Sequence, residues 1–202
     1  MIVHCGGMTT FAFDGRLVAA DTQTNSGDTK LLSSTTKIHP LVWTDKDGVK
    51  RRRVYALTGL LAPFPILARW HMSGASPDSY PTFNQSPDDG FDFIVIDIED
   101  GVGAQSVHVY STEAQGHAMT NPVPFASGSG ELCARTAFYL GYDAATAARC
   151  GAELDSGSGL PIEIFDVVQW KWIRRKKPVP GFAKDISKAC RAGLAIAKQS
   201  EE

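Results

Sequence analysis

The sequence predicts an α+β fold in which two antiparallel sheets are covered by helices. Two observations carry this expectation. The aspartate-glycine dipeptides Asp14-Gly15 and Asp47-Gly48 each sit between β-rich runs, the strongest short-range signal for a hairpin. The order of patterns along the chain is strands, helix, strands, two helices, strand, helix, and two helix-covered sheets satisfy that order.

Thr9 to Phe13 and Arg16 to Asp21 flank the first turn and read as a tight hairpin. The polar stretch Thr22 to Thr36 reads as a loop. "KIHPLVWT" and "VKRRRVYALTG" follow, paired across the second turn. "LLAPFPILARWHM", from Leu60 to Met72, is apolar nearly all round and predicts a buried helix that begins after Pro63 and Pro65. Residues 73 to 90, rich in Ser, Pro, Asp and Gly, read as a long loop.

"FDFIVIDIED" and "QSVHVYSTE" are strand-like, and "HAMTNPVPFA" leads into a glycine-rich "SGSG" at 127–130. In "ELCARTAFYLGYDAATAARCGAEL", Gly141 and Asp143 split the helical pattern in two. A second "SGSG" occupies 156–159. "PIEIFDVVQW" then reads as a strand and "RRKKPVPG" as a connector. Residues 171–202 read as a C-terminal connector and a helix, with Ile186, Cys190, Leu194 and Ala197 at helical spacing.

The chain of 202 residues, 43% hydrophobic, fits one domain. Twenty basic against 22 acidic residues, a net charge of -2, disfavours nucleic acid or an anionic membrane as the main partner, and the runs Arg51-Arg52-Arg53 and Arg174 to Lys177 read as solvated faces. No window is apolar enough to span a membrane, and the start lacks signal-peptide order. The cysteines 5, 133, 150 and 190 form no CxxC pair, which predicts neither a metal site nor a disulfide scaffold and fits a reducing, cytoplasmic compartment. The histidines form no HExxH, and no serine sits in a GxSxG elbow.

Thr9 acts as a nucleophile only where a base takes its proton, and a chain terminus supplies one: its own α-amine, with a reference pKa of ~7.7 to 8.0. "TTFAFDGRLVAAD", followed in order by "TKIHP", "ALTGLLA", "ASGSGELCA" and "LDSGSGLP", resembles the proteasome β-subunits and HslV-type N-terminal-nucleophile hydrolases, over about residues 8 to 170. It is most similar to the short proteasome-like proteins of bacteria and phages that begin Met-Thr-Thr. Singly, each segment has a plain structural reading as strand, cap or turn; together and in order they carry the resemblance.

The resemblance implies a four-layer αββα sandwich and a threonine-type peptidase acting on peptides or unfolded proteins, self-assembled as a homo-oligomer, fed in some relatives by an unfolding ATPase, and needing no cofactor. It implies Thr9 as nucleophile, Asp21 as the orienting carboxylate, and Lys37 as the charge that lowers the nucleophile's proton affinity. Gly59 would offer its N–H to the oxyanion, and Ser129, Asp155 and Ser158 would hold the terminal amine.

The match departs in three places. "MIVHCGG" precedes Met8, so Thr9 gains its amine either from a start at Met8 or from removal of residues 1–8 as a leader; an uncut chain would be a silent scaffold. Cys5 stands farther ahead of Asp21, at the spacing of the larger relatives, and is a rival nucleophile. Leu60 and Leu61 replace the small residues of many relatives and are expected to narrow the pocket beside Gly59.

Overall fold

The computed structural model describes residues 9–26, 29–83, 90–99 and 102–174. Within them lie two five-stranded antiparallel sheets, a two-stranded hairpin and three α-helices. The first sheet runs β10-β1-β2-β11-β12, built from β1 (Phe11–Phe13), β2 (Leu17–Asp21), β10 (Phe125–Ser127), β11 (Ile162–Asp166) and β12 (Lys171–Arg174). The second runs β5-β6-β7-β8-β9, from β5 (Ile38–Thr44), β6 (Lys50–Gly59), β7 (Phe91–Ile98), β8 (Ser106–Ser111) and β9 (Met119–Pro122). Pro40 is tolerated because β5 is an edge strand, where a missing N–H costs no ladder bond.

Alternation along the strands sorts large from small side chains. Phe11, Phe13, Val18 and Ala20 join Val54, Ala56, Ile94 and Ile96 in one buried cluster, so the two sheets face each other across it. Ala12 and Ala19 point the other way, toward the alanines of α2 (Glu131–Tyr139) and α3 (Ala144–Leu154). Side chains this small let the helices lie close on the sheet. On the far face of the second sheet, Tyr55, Leu57, Phe93 and Val95 pack against Phe64, Leu67 and Trp70 of α1 (Phe64–Met72).

The first hairpin forms, but its turn is centred on Gly15-Arg16 rather than Asp14-Gly15: Asp14 N–H donates to the Leu17 carbonyl at 3.3 Å, Gly15 takes φ +97°, and the Asp14 carboxylate accepts from the Arg16 and Leu17 amides at 2.9 and 2.7 Å. The second turn is wider than two residues, closing from Asp45 N–H to the Val49 carbonyl at 2.9 Å, with the Asp45 carboxylate bonded to the amides inside it. Helix α1 begins at Phe64, with Pro65 inside its first turn, where a missing N–H costs no helical bond, rather than before it; it is buried on one side only, with Ile66 and Arg69 exposed. The two-helix reading around Gly141 and Asp143 holds: Gly141 has φ +84°, and Asp143 Oδ1 caps α3 by accepting from Thr146 N–H at 2.8 Å.

Several expectations are corrected. The polar stretch Thr22 to Thr36 contains β3 (Gln23–Ser26) and β4 (Thr29–Ser34), which pair antiparallel; polar residues satisfy each other's backbones as well as apolar ones do. Lys171–Arg174 is an edge strand against β11, where the sequence suggested a connector. Arg53 is no solvated residue: it bonds Asp97 at 2.5 Å and Tyr55 at 3.2 Å, with its guanidinium 4.9 Å from the Trp43 ring centre. The proposed C-terminal helix and Cys5 lie outside the described residues.

Candidate active site

The site lies where the start of β1 meets the end of β2. The backbone register sets Thr10 opposite Asp21: the Thr10 N–H donates to Asp21 Oδ1 at 2.8 Å, and the Asp21 N–H donates to the Thr10 carbonyl at 3.1 Å. Thr9, one residue earlier, points its hydroxyl elsewhere. Its Oγ1 accepts from Lys37 Nζ at 2.9 Å, and the same Nζ donates to Asp21 Oδ1 at 2.8 Å. Lys37 therefore bridges the two residues that the sequence alone suggests as a facing pair.

Both members of the ion pair are buried, with side-chain exposures of 2% for Lys37 and 0% for Asp21. A charge so placed needs several partners. Asp21 has them: besides Lys37 and Thr10, its Oδ2 accepts from the amides of Gln23 at 3.0 Å and Gly159 at 3.3 Å. Burial lowers the Lys37 pKa from its ordinary value, while Asp21 first, then Glu163 and Asp155, act in the opposite sense.

Glu163 is a residue that motif reading misses. Its Oε1 accepts from the amides of Lys37 at 2.6 Å and Ile38 at 2.9 Å, so β11 clamps the segment that delivers the lysine. The signal was present in "PIEIF", where a glutamate interrupts an otherwise apolar strand.

The two glycine-rich segments close around the threonines from the helix side. Thr9 N–H donates to Ser129 Oγ at 3.1 Å, and Ser129 Oγ–H donates to Asp155 Oδ2 at 2.6 Å. The Ser158 hydroxyl donates to the same Asp155 oxygen at 2.7 Å and accepts from Thr10 Oγ1 at 2.8 Å. Asp155 thus gathers, through two serines, the Thr9 nitrogen and the Thr10 hydroxyl. Thr10 itself, read only as a strand residue in the sequence, is the inner anchor of this chain.

Gly128 explains why these segments need glycine. It has φ +98°, and a Cβ there would fall on the Thr9 carbonyl oxygen. Gly130 and Gly151 likewise leave no room beyond hydrogen, because Thr10 fills it. Compared with known proteins, the chain matches no family model and no curated protein.

Gly59 ends β6 with φ +93°, pressed so close to β7 that a Cβ would overlap the Gly90 carbonyl oxygen. Its neighbour Thr58 bonds Ser127 at 3.0 Å, which ties this strand end to the segment carrying Ser129. Gly59 and Ser129 share the wall of one cleft of about 630 Å³, continued by Gly128, Phe91, Thr112 and Met119. Leu60 and Leu61 do not line it; Leu60 is exposed and Leu61 packs on the α1 cluster, so the expected narrowing is absent from this cleft.

All seven positions suggested by the sequence, Thr9, Asp21, Lys37, Gly59, Ser129, Asp155 and Ser158, are thus brought to one region. The set suits nucleophilic chemistry: a hydroxyl beside a buried, charge-paired lysine, and a serine-aspartate relay on the threonine nitrogen. Among the described residues, no cluster of His, Cys, Asp and Glu could hold a metal ion, and no helix is long and apolar enough to cross a membrane.

Proposed function

We propose that this chain is a threonine-type peptidase of the N-terminal-nucleophile class, acting on peptides or unfolded proteins once Thr9 becomes its first residue. The observation that carries the reading is the Thr9 hydroxyl held 2.9 Å from a buried, aspartate-paired Lys37 Nζ, with Ser129 Oγ on the Thr9 nitrogen. A structural threonine in a strand has no need of a buried lysine, whose desolvation is costly. The layering of α1, two sheets and α2 with α3 agrees with the αββα sandwich of the proteasome-like hydrolases, and supports the same reading.

In the proposed reaction the Met8–Thr9 bond is hydrolysed first, which turns the Thr9 amide into an amine. That amine takes the Oγ1 proton as Oγ1 attacks the substrate carbonyl. The Lys37 charge favours the developing alkoxide, and the Gly59 N–H faces the oxyanion of the tetrahedral intermediate. The amine returns its proton to the departing substrate nitrogen, leaving an ester on Thr9. Water, deprotonated by the same amine, cleaves the ester and restores the hydroxyl. Ser129, backed by Asp155, orients the amine throughout.

In this account the protein works in the cytoplasm of a bacterial cell, chromosomal or phage-encoded, as a homo-oligomer that encloses its sites, with an unfolding ATPase as a partner for folded substrates. The test is hydrolysis of an unfolded protein by the purified chain, followed by mass spectrometry. Wild type releases peptides, and Thr9→Ala releases none. Equal release by both would overturn the assignment of Thr9 and direct attention to Cys5.

A further inference from the structure

The cleft beside the nucleophile has a distinct charge. Asp92, Glu113 and Glu131 line it, and no Lys, Arg or His does among the described residues. Phe91, which is buried, and Met119, which is half exposed, supply the apolar part of its lining. Glu131 pairs with Arg135 at 3.0 Å one turn along α2. That pair is well exposed and easily exchanged. Asp92 is fixed by Ser127, whose hydroxyl donates to Oδ2 at 2.8 Å, and Ser127 in turn bonds Thr58 next to Gly59.

Apolar lining beside three carboxylates complements one kind of side chain: a hydrocarbon stem ending in a positive charge. Gly59 and Ser129, the residues assigned to the oxyanion and to the Thr9 nitrogen, belong to its wall. We propose that it holds a lysine or arginine side chain of the substrate, flanking the bond that Thr9 cuts, with Glu113 and Asp92 as the residues that determine this specificity. The inference rests on the peptidase reading for the cut, but binding of a cationic side chain does not.

In this proposal the stem of either side chain lies against Phe91 and Met119, and its charged end meets Glu113 and Asp92. The solvent-exposed position of Glu113 makes this selectivity salt-sensitive.

The test joins binding to cleavage. Fluorescein-labelled hexapeptides that differ only in one central residue, Arg, Lys, Leu or Glu, are titrated against the full chain by fluorescence anisotropy at low and high salt. In parallel, the cut sites in an unfolded protein are mapped by mass spectrometry. The Arg and Lys peptides are expected to bind about 10-fold tighter than the Glu peptide at low salt, with Lys and Arg enriched beside the cut. Glu113→Lys reverses the order and Glu113→Gln abolishes it, with the unfolding midpoint serving as a check on folding. Cationic preference without any hydrolysis supports the cleft and overturns the peptidase. Hydrolysis without charge preference overturns the cleft assignment and leaves the peptidase standing. Equal binding of all four peptides and no hydrolysis overturns both.

Discussion

Lys37 Nζ lies 2.9 Å from the Thr9 hydroxyl oxygen and 2.8 Å from Asp21 Oδ1, and so joins two residues that do not themselves face each other across the hairpin. In that position it holds the hydroxyl and neutralises the buried carboxylate. Removing it tests both roles. Lys37→Ala is expected to abolish peptide hydrolysis and to cost about 3 kcal/mol of stability. The low end of the range for broken buried pairs applies because three amides still bond Asp21. Urea unfolding measures the cost, and adding Asp21→Asn to Lys37→Ala recovers part of it, since the uncompensated charge is then gone.

Glycine at 128 is predicted to be irreplaceable, and glycine at 48 only preferred. Both have positive φ, which strains any L side chain by roughly 1–2 kcal/mol. A Cβ at Gly48 meets nothing within 4 Å, so Gly48→Ala is expected to cost about that strain alone. At Gly128 the Cβ meets the Thr9 carbonyl, and Thr9 must move with it. Gly128→Ala therefore loses activity as well as stability, measured by thermal unfolding and turnover together.

Thr10→Val keeps the shape that Gly130 and Gly151 enclose but removes the hydroxyl that donates to Ser158. A loss of about 1 kcal/mol in unfolding free energy is expected, the usual net worth of one hydrogen bond. A loss near zero would show that the link from Thr10 through Ser158 to Asp155 contributes nothing to stability.

Much of this site was legible because its parts are local signatures. Asp14-Gly15 set the hairpin, and the two SGSG segments declared places where backbones approach closely. What stayed hidden depends on register and on distant pairing. Thr10 rather than Thr9 sits opposite Asp21, which a hairpin pattern cannot reveal without its hydrogen bonds. Glu163 serves Lys37 across a sequence separation of 126, from a strand of the first sheet to the segment that enters the second, and no local pattern records that contact. The β3–β4 hairpin carries no such signal, because polar strands lack the alternation that marks a buried face.

Away from the site, His71 predicts a pH dependence. Burial first, then the charges of Arg53 and His108, push its pKa down to about 3 from an ordinary 6.5, while its Nδ1 lies 3.0 Å from Arg53 Nη1 and 3.1 Å from the Tyr55 hydroxyl. Between these values the unfolded chain binds a proton that the folded chain refuses, so stability falls as pH drops from about 6.5 toward 3. His71→Gln keeps an acceptor for Arg53 but does not titrate. The difference between wild type and variant in urea midpoint should shift against the wild type across that window, and a constant difference would refute the assignment.

Catalysis by Thr9 depends on cleavage of the bond between Met8 and Thr9. Intact-mass spectrometry of the purified protein, before and after treatment with an electrophile selective for N-terminal threonine, tests it most directly. The predicted result is a species that begins at Thr9 and gains the mass of one probe. Full-length protein that persists and takes up no probe would contradict the account and leave a proteasome-like scaffold without catalysis.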